Sequence, residues 1–249
     1  MADRPYTLLS ASMSIDGYLD TAAPRRLTLS NDEDFDRVDA VRAACDAILV
    51  GAATVRNDNP RLLVRSEARR EERVARGQRP LPVKVTVTAS GDLDPDAAFF
   101  TCGDTEKLVY CASAALPVAC GALSRVATVV DGGQPLGLAR VVEDLHRRGV
   151  RRLMVEGGGS VLTQLLAADL ADELHLVVAP FFVGDSNAQR LVGDARFPWN
   201  PERRATLAGV RQIGDVVLLR YALSPRFGAD GMPDGVADLV TDGLTGEPR

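Results

Sequence analysis

Short apolar, β-branched runs alternate with segments of helical periodicity through most of this chain, and that alternation narrows the possible folds more than any other feature. A chain that reads strand, helix, strand buries both faces of its strands by building a sheet with helices packed on either side. Residues 6–13, 47–51, 83–88, 107–111, 126–130 and 152–155 read as strands, most of them bounded by Gly, Pro or Asp. Phe35, Val38, Val41 and Ala44 recur at near-helical spacing, which predicts a helix over 32–45 with Ser30 and Asn31 as capping residues. Residues 138–148, ended by Gly149, predict a second helix feeding the strand RRLMVE, and 160–168 a third. The pattern then changes. Residues 173–179, 205–212 and 216–222 read as consecutive strands with no long helix between them, an antiparallel edge on a mostly parallel sheet.

A chain of 249 residues, 46% hydrophobic and 25% charged, suits one α/β domain, expected over 1–223. Residues 224–249, rich in Pro, Gly and acids, are expected to form a tail outside the core. Residues 66–82, dense in Arg and Glu, read as either a helical surface excursion or a mobile loop. The net charge of -5 and pI near 5.2 give no electrostatic reason to expect nucleic acid as a partner. The N-terminus lacks a basic flank leading into an apolar core, and no run approaches the roughly 18 apolar residues of a membrane span, so a cytoplasmic protein is expected. Cys45, Cys102, Cys111 and Cys120 show neither CxxC spacing nor a nearby His cluster, so they read as reduced structural thiols and no metal site is expected. His146 and His175 also read as structural.

Three segments carry candidate chemistry. The first is LMVEGGGSVLTQLL, residues 153–166: a strand, three glycines and an amphipathic helix. A helix start presents free N–H groups and partial positive charge, and glycine lets a diphosphate approach the backbone; the same glycines equally suit a tight turn with no ligand. Glu156, just before them, stands where open α/β sheets gather their ligands, or is an exposed turn acid. The second is AILVGAATVRNDNPRLLVR, residues 47–65, where a strand is followed by a short helical turn with Thr54 and Arg56 and by a sharp turn at Asp58, Asn59 and Pro60 leading to Arg65. The third is SASMSIDGYLD, residues 10–20, whose Asp16–Gly17 turn ends the first strand and whose Ser12 and Ser14 offer polar groups.

Taken together and in order, SMSIDGYL, RAACDAILVGAATVRNDNPRLLVR and MVEGGGSVLTQLLAADLADELHLVVAPFFVG resemble the C-terminal reductase domain of the bifunctional riboflavin-biosynthesis deaminase/reductase, over about residues 5–221. The resemblance implies a three-layer dihydrofolate reductase-like fold, with a mixed, mostly parallel sheet of about nine strands, an antiparallel edge and helices on both faces. It also implies a homodimer that reduces 5-amino-6-(5-phosphoribosylamino)uracil, a phosphorylated pyrimidine, to its ribitylamino product with NADPH. By the same alignment Ser12, Leu27, Thr54, Asp58 and the run Gly158, Gly159, Ser160, Val161, Leu162, Thr163 and Gln164 line the dinucleotide. Arg42, Leu62, Arg65 and Glu156 contact the substrate, with Glu156 orienting the pyrimidine amino groups or relaying a proton.

The chain departs from that family at three places. It has no H-x-E with P-C-x-x-C, so deamination is not expected. It reads VTVTASG where the family ends a strand in aspartate and a small hydroxyl residue, and PRRLT, residues 24–28, where serine and an aromatic residue are common. No Arg or Lys is placed by spacing at a ribose 2′-phosphate, so spacing does not choose NADPH over NADH. A dihydrofolate or pteridine reductase on the same fold, and a non-catalytic nucleotide-binding protein, are the competing readings.

Overall fold

The computed structural model describes residues 4–22 and 27–228. In chain order these form β1 (Tyr6–Ser14), α1 (Asp32–Ala44), β2 (Ala47–Gly51), α2 (Ala52–Asp58), α3 (Glu67–Ala75), β3 (Val83–Thr88), α4 (Ala98–Thr101), β4 (Lys107–Cys111), α5 (Leu116–Leu123), β5 (Thr128–Asp131), α6 (Leu138–Arg147), β6 (Arg152–Val155), α7 (Gly159–Ala167), β7 (Glu173–Ala179), β8 (Thr206–Ile213) and β9 (Val216–Ala222). The strands make one nine-stranded sheet in the order β5-β4-β3-β2-β6-β1-β7-β9-β8. Pairing is parallel from β5 to β7 and antiparallel from β7 through β9 to β8. The mixed sheet with its antiparallel edge and flanking helices is the expected fold.

Alternate residues of the central strands serve opposite core layers, as the two-residue strand period requires. Leu9, Leu49, Leu153 and Val155 pack with Val141 and Leu145 of α6 and Leu162 and Leu165 of α7. Leu8, Ile48, Val50 and Met154 pack with Val41 of α1, Val55 of α2, Phe99 of α4 and Leu123 of α5. Burial on both faces explains why β2 reads as an unbroken apolar run. At the antiparallel end Val216 and Leu218 pack with Leu29, Val177 and Ile213, while on the opposite face Tyr221 packs against the α6–α7 layer and Leu207, Val210 and Val217 of β8 and β9 are exposed.

The fifth strand begins at Thr128 rather than 126, because the Val126 and Ala127 N–H groups both donate to the Leu123 carbonyl and close α5. Asn31 alone caps α1, accepting from the Asp34 N–H, whereas Ser30 donates to the Asp34 carboxylate. Residues 66–82 contain a helix, α3, capped by Ser66. This helix is no mere surface excursion: the guanidinium of Arg73 is buried and donates to the carbonyls of Ala43, Cys45 and Arg79, satisfying the C-terminal end of α1.

Asp172 ties the two ends of the described chain together. Its buried carboxylate takes hydrogen bonds from Arg4, the Thr7 N–H, Ser224 and Arg226. Ser224 and Arg226, the first residues of the expected tail, are thus fastened to the sheet; 229–249 lie outside the described residues. Among the described residues no helix is long and apolar enough to cross a membrane.

A second buried carboxylate, Glu173, accepts from Tyr6 Oη at 2.8 Å, His175 Nε2 at 2.7 Å and Arg220 Nη2 at 2.7 Å. Burial pushes its carboxyl up, but the His175 hydrogen bond and the Arg220 charge outweigh that and hold it at about 2. Glu173→Gln leaves Arg220 buried without a counter-charge and is expected to cost about 3–5 kcal/mol of stability, measured by denaturant unfolding. The folded value lies below the ordinary 4.5, so the carboxylate's contribution is present above pH 4.5 and lost as pH falls through about 2. The parent's unfolding midpoint should decline across that acid window more steeply than the variant's.

Candidate active site

The carboxyl ends of β1, β2 and β6 lie side by side at the middle of the sheet, and the segments that leave them wall a cavity of about 440 Å³. Ser12, Leu27, Thr54, Asp58, Gly158 and Leu162 line it, as do Arg42 and Glu156. One face of α1 supplies Asp34, Val38 and Arg42, residues four apart and therefore stacked along the helix. A neighbouring cavity of about 480 Å³ lies between the start of α7 and the loop of residues 186–194; Gly159, Ser160, Thr163 and Gln164 line it. Gln189 lines both cavities.

The three glycines have different reasons to be glycine. Gly157 has φ +105°, in the region L side chains rarely adopt. A Cβ on Gly159 would stand 2.8 Å from the Arg190 carbonyl oxygen, so this residue is required by the packing of the 186–194 loop. At Gly158 a Cβ would sit 3.2 Å from Thr54 Oγ1 and 3.6 Å from Gln189 Nε2, inside the space the cavity lining encloses. The tight-turn reading therefore accounts for Gly157 and Gly159, whereas at Gly158 a side chain would enter the space between Thr54 and Gln189 on the cavity wall. Beyond it the Val161 and Leu162 N–H groups turn back to the Gly158 carbonyl, which leaves the first-turn N–H groups of Gly159 and Ser160 for another partner. Thr163 Oγ1 donates to the Gly159 carbonyl and accepts from the Gly193 N–H, fastening the loop to the helix.

Arg42 and Glu156, 114 residues apart, form a two-pronged ion pair: Nε donates to Oε1 and Nη2 to Oε2, each at 2.6 Å, while Nη1 donates to the Leu63 carbonyl at 3.1 Å. Burial works against the Arg42 charge, but Glu156 overcomes this and holds its pKa above the ordinary value. Each Glu156 oxygen has accepted one N–H and retains a lone pair for a ligand donor. Such a carboxylate is set up to accept hydrogen bonds from a fixed position.

Three expected site residues line neither cavity. Leu62 is buried in the α1-side core, and Val161 in the opposite layer. Arg65 lies outside, its side chain 60% exposed, donating to the Phe35 carbonyl with its guanidinium 5.8 Å from the Phe35 ring centre. Phe35 lines the cavity that holds Arg42 and Glu156, so Arg65 stands at its rim. Sequence reasoning passed over Asp34, Phe35 and Gln189. The signal for Asp34 was present, since it lies two helical steps from Arg42 with Val38 between; Gln189 follows β7 in a loop with no periodicity to mark it. Among the described residues no group of three or more His, Cys, Asp or Glu is placed to hold a metal ion.

Comparison with known proteins bears on this arrangement. The family model described as the RibD C-terminal domain matches residues 5–219. The 2,5-diamino-6-ribosylamino-4(3H)-pyrimidinone 5′-phosphate reductase of Archaeoglobus fulgidus is 33% identical over 90% of this chain and 99% of its own. The protein of the same name from Methanothermobacter thermautotrophicus is 32% identical over 91% and 95%. A solved structure of a pyrimidine reductase-like protein from Corynebacterium diphtheriae superposes with a TM-score of 0.74 at 23% identity, over 88% of this chain and 92% of that one, and shares the fold. The chain belongs to the RibD C-terminal domain family.

Proposed function

We propose that this chain is an oxidoreductase of riboflavin biosynthesis that reduces 2,5-diamino-6-ribosylamino-4(3H)-pyrimidinone 5′-phosphate to its ribitylamino product with a nicotinamide cofactor, NADPH in the finer reading. The observation that carries it is the meeting, at the carboxyl ends of β1, β2 and β6, of a glycine turn and free helix N–H groups with the Arg42–Glu156 pair. The archaeal relatives' name favours the diamino-pyrimidinone over the uracil that the sequence resemblance implied; the two bases differ at C2, amino in one and carbonyl in the other. A cytoplasmic location belongs to the same reading.

The dinucleotide fits the chain's own residues. The Gly159 and Ser160 N–H groups and the positive end of α7 suit its diphosphate, with Gln164 and Thr163 beside them and Ser12, Leu27, Thr54 and Asp58 on the wall of the adjoining cavity. When bound, the nicotinamide supplies the hydride that the opened sugar's C1′ receives. Glu156, gripped on both oxygens by Arg42, orients substrate N–H groups; that grip favours orientation over proton relay. Arg65 at the rim, stacked on Phe35, is assigned the substrate phosphate, which guanidinium binds through paired hydrogen bonds. The uncovered apolar strip of Leu207, Val210 and Val217 on an edge of the sheet suits a second copy of the chain, hence a homodimer.

Spectrophotometric oxidation of NADPH by the diamino-pyrimidinone ribotide tests the reading directly; a folded protein that oxidises NADPH with no ribosylaminopyrimidine overturns it. Two substitutions should split the site. Gly158→Ala is expected to weaken NADPH binding about tenfold, the worth of one hydrogen bond to a charged group, whereas Glu156→Gln should lower turnover while NADPH titration stays at the parent's affinity. For Arg65→Ala we expect kcat/KM on the phosphorylated substrate to drop about tenfold to a hundredfold and on its dephosphorylated analogue far less. Equal losses on both compounds would return Arg65 to the solvated surface. Sedimentation should find a dimer in the parent and a monomer in Val210→Asp.

A further inference from the structure

Ser30 and Asp34 stand on the same cavity wall as Arg42, and none of the roles above uses them. Ser30 Oγ donates to Asp34 Oδ2, and Arg37 Nε donates to Asp34 Oδ1 at 2.6 Å. The Asp34 and Arg37 side chains are 1% and 4% exposed. Arg37 Nη1 lies 3.2 Å from His175 Nδ1. A guanidinium only donates, so Nδ1 is the acceptor, and the imidazole proton sits on Nε2, where it is donated to Glu173 Oε1 at 2.7 Å. Burial keeps His175 below its ordinary pKa, in keeping with this neutral form. The order of donors is therefore fixed from the sheet interior to the cavity wall.

Its consequence falls on Ser30. The hydroxyl has one proton, and Asp34 takes it, so toward the cavity Ser30 offers only lone pairs. A buried carboxylate behind it disfavours phosphate and carbonyl oxygens and favours N–H donors. A pentose hydroxyl, which both donates and accepts, has no need of an acceptor-only partner, whereas an exocyclic amino group conjugated to a pyrimidine only donates. Eight residues of helix, about 12 Å, separate Asp34 from Arg42, so the two polar stations stand at different ends of the cavity wall.

We propose that Ser30, with its proton held by Asp34, accepts a hydrogen bond from the 2-amino group of the base and so sets the preference for the 2-amino pyrimidinone ribotide over its 2-oxo uracil counterpart. Asp34, Arg37 and His175 are positioning residues behind it. This rests on the function proposed above and adds the residue that chooses between two substrates of the same reaction.

The test compares kcat/KM on the two ribotides for the parent, Ser30→Ala, Ser30→Thr and Asp34→Asn. The parent should favour the 2-amino compound. Ser30→Ala should cost that compound about tenfold to a hundredfold and bring the ratio toward one, while Ser30→Thr, which keeps the hydroxyl, retains most of the preference. Asp34→Asn has a sharper signature. Arg37 still donates, so the new amide must turn its oxygen to Arg37 and its NH₂ to Ser30, which frees the serine proton for the cavity and shifts the ratio toward the 2-oxo compound. Should that variant not fold, the serine pair still decides. Equal losses on both compounds in Ser30→Ala, or a parent ratio near one, overturn the assignment of Ser30 alone. A parent that reduces neither compound overturns the proposed function, and this assignment with it.

Discussion

Two backbone hydrogen bonds beyond the end of β6, from the Glu156 N–H to the Leu49 carbonyl at 3.0 Å and from the Gly51 N–H to the Gly157 carbonyl at 2.9 Å, extend the pairing of β2 and β6 into the turn. They make the glycine segment part of the sheet edge rather than a free loop. The cavity depends on this. β6 returns late in the chain to fill the place between β2 and β1, so three segments distant in sequence leave the sheet at one point. The Arg42–Glu156 pair then closes the arrangement from the helix side, joining α1 to the turn by two short hydrogen bonds.

Much of this was legible in the amino-acid order because local rules and tertiary structure agree. The ranges read for β2, β3, β4, β6, β7 and β9 coincide with the observed strands, since continuous apolar runs and clear turn residues leave little choice of register. Agreement fails where tertiary contacts decide. The start of β5 is displaced by the closing turn of α5, and the charged segment around Arg73 is a helix held by contacts distant in sequence, Arg73 to the end of α1 and Arg69 to Asp36. In the site, helical spacing singles out the face bearing Val38, but no spacing rule pairs Arg42 with Glu156 or seats Gln189 between two cavities.

The interior also holds more charge than its composition announces. Asp34, Arg37, His175, Glu173 and Arg220 form one connected run with alternating sign around a neutral imidazole, all at most 5% exposed. Buried ions are costly unless every donor and acceptor is matched, and here the matching fixes one imidazole tautomer and one direction for each proton. Apolar residues of equal size would pack the same space without prescribing any polarity at the cavity wall. The run links the middle of the antiparallel region to the site and gives the position of α1 an electrostatic as well as a packing cause.

The Asp172 clamp has an architectural consequence. By gathering Arg4, Ser224 and Arg226 around one carboxylate, it brings the two extremities of the folded region within a side chain's length of each other. They meet beside the first residue of β7, at the opposite end of the parallel strands from the cavity. With both described extremities held at one carboxylate, the strand ends that wall the cavity are left clear of either of them.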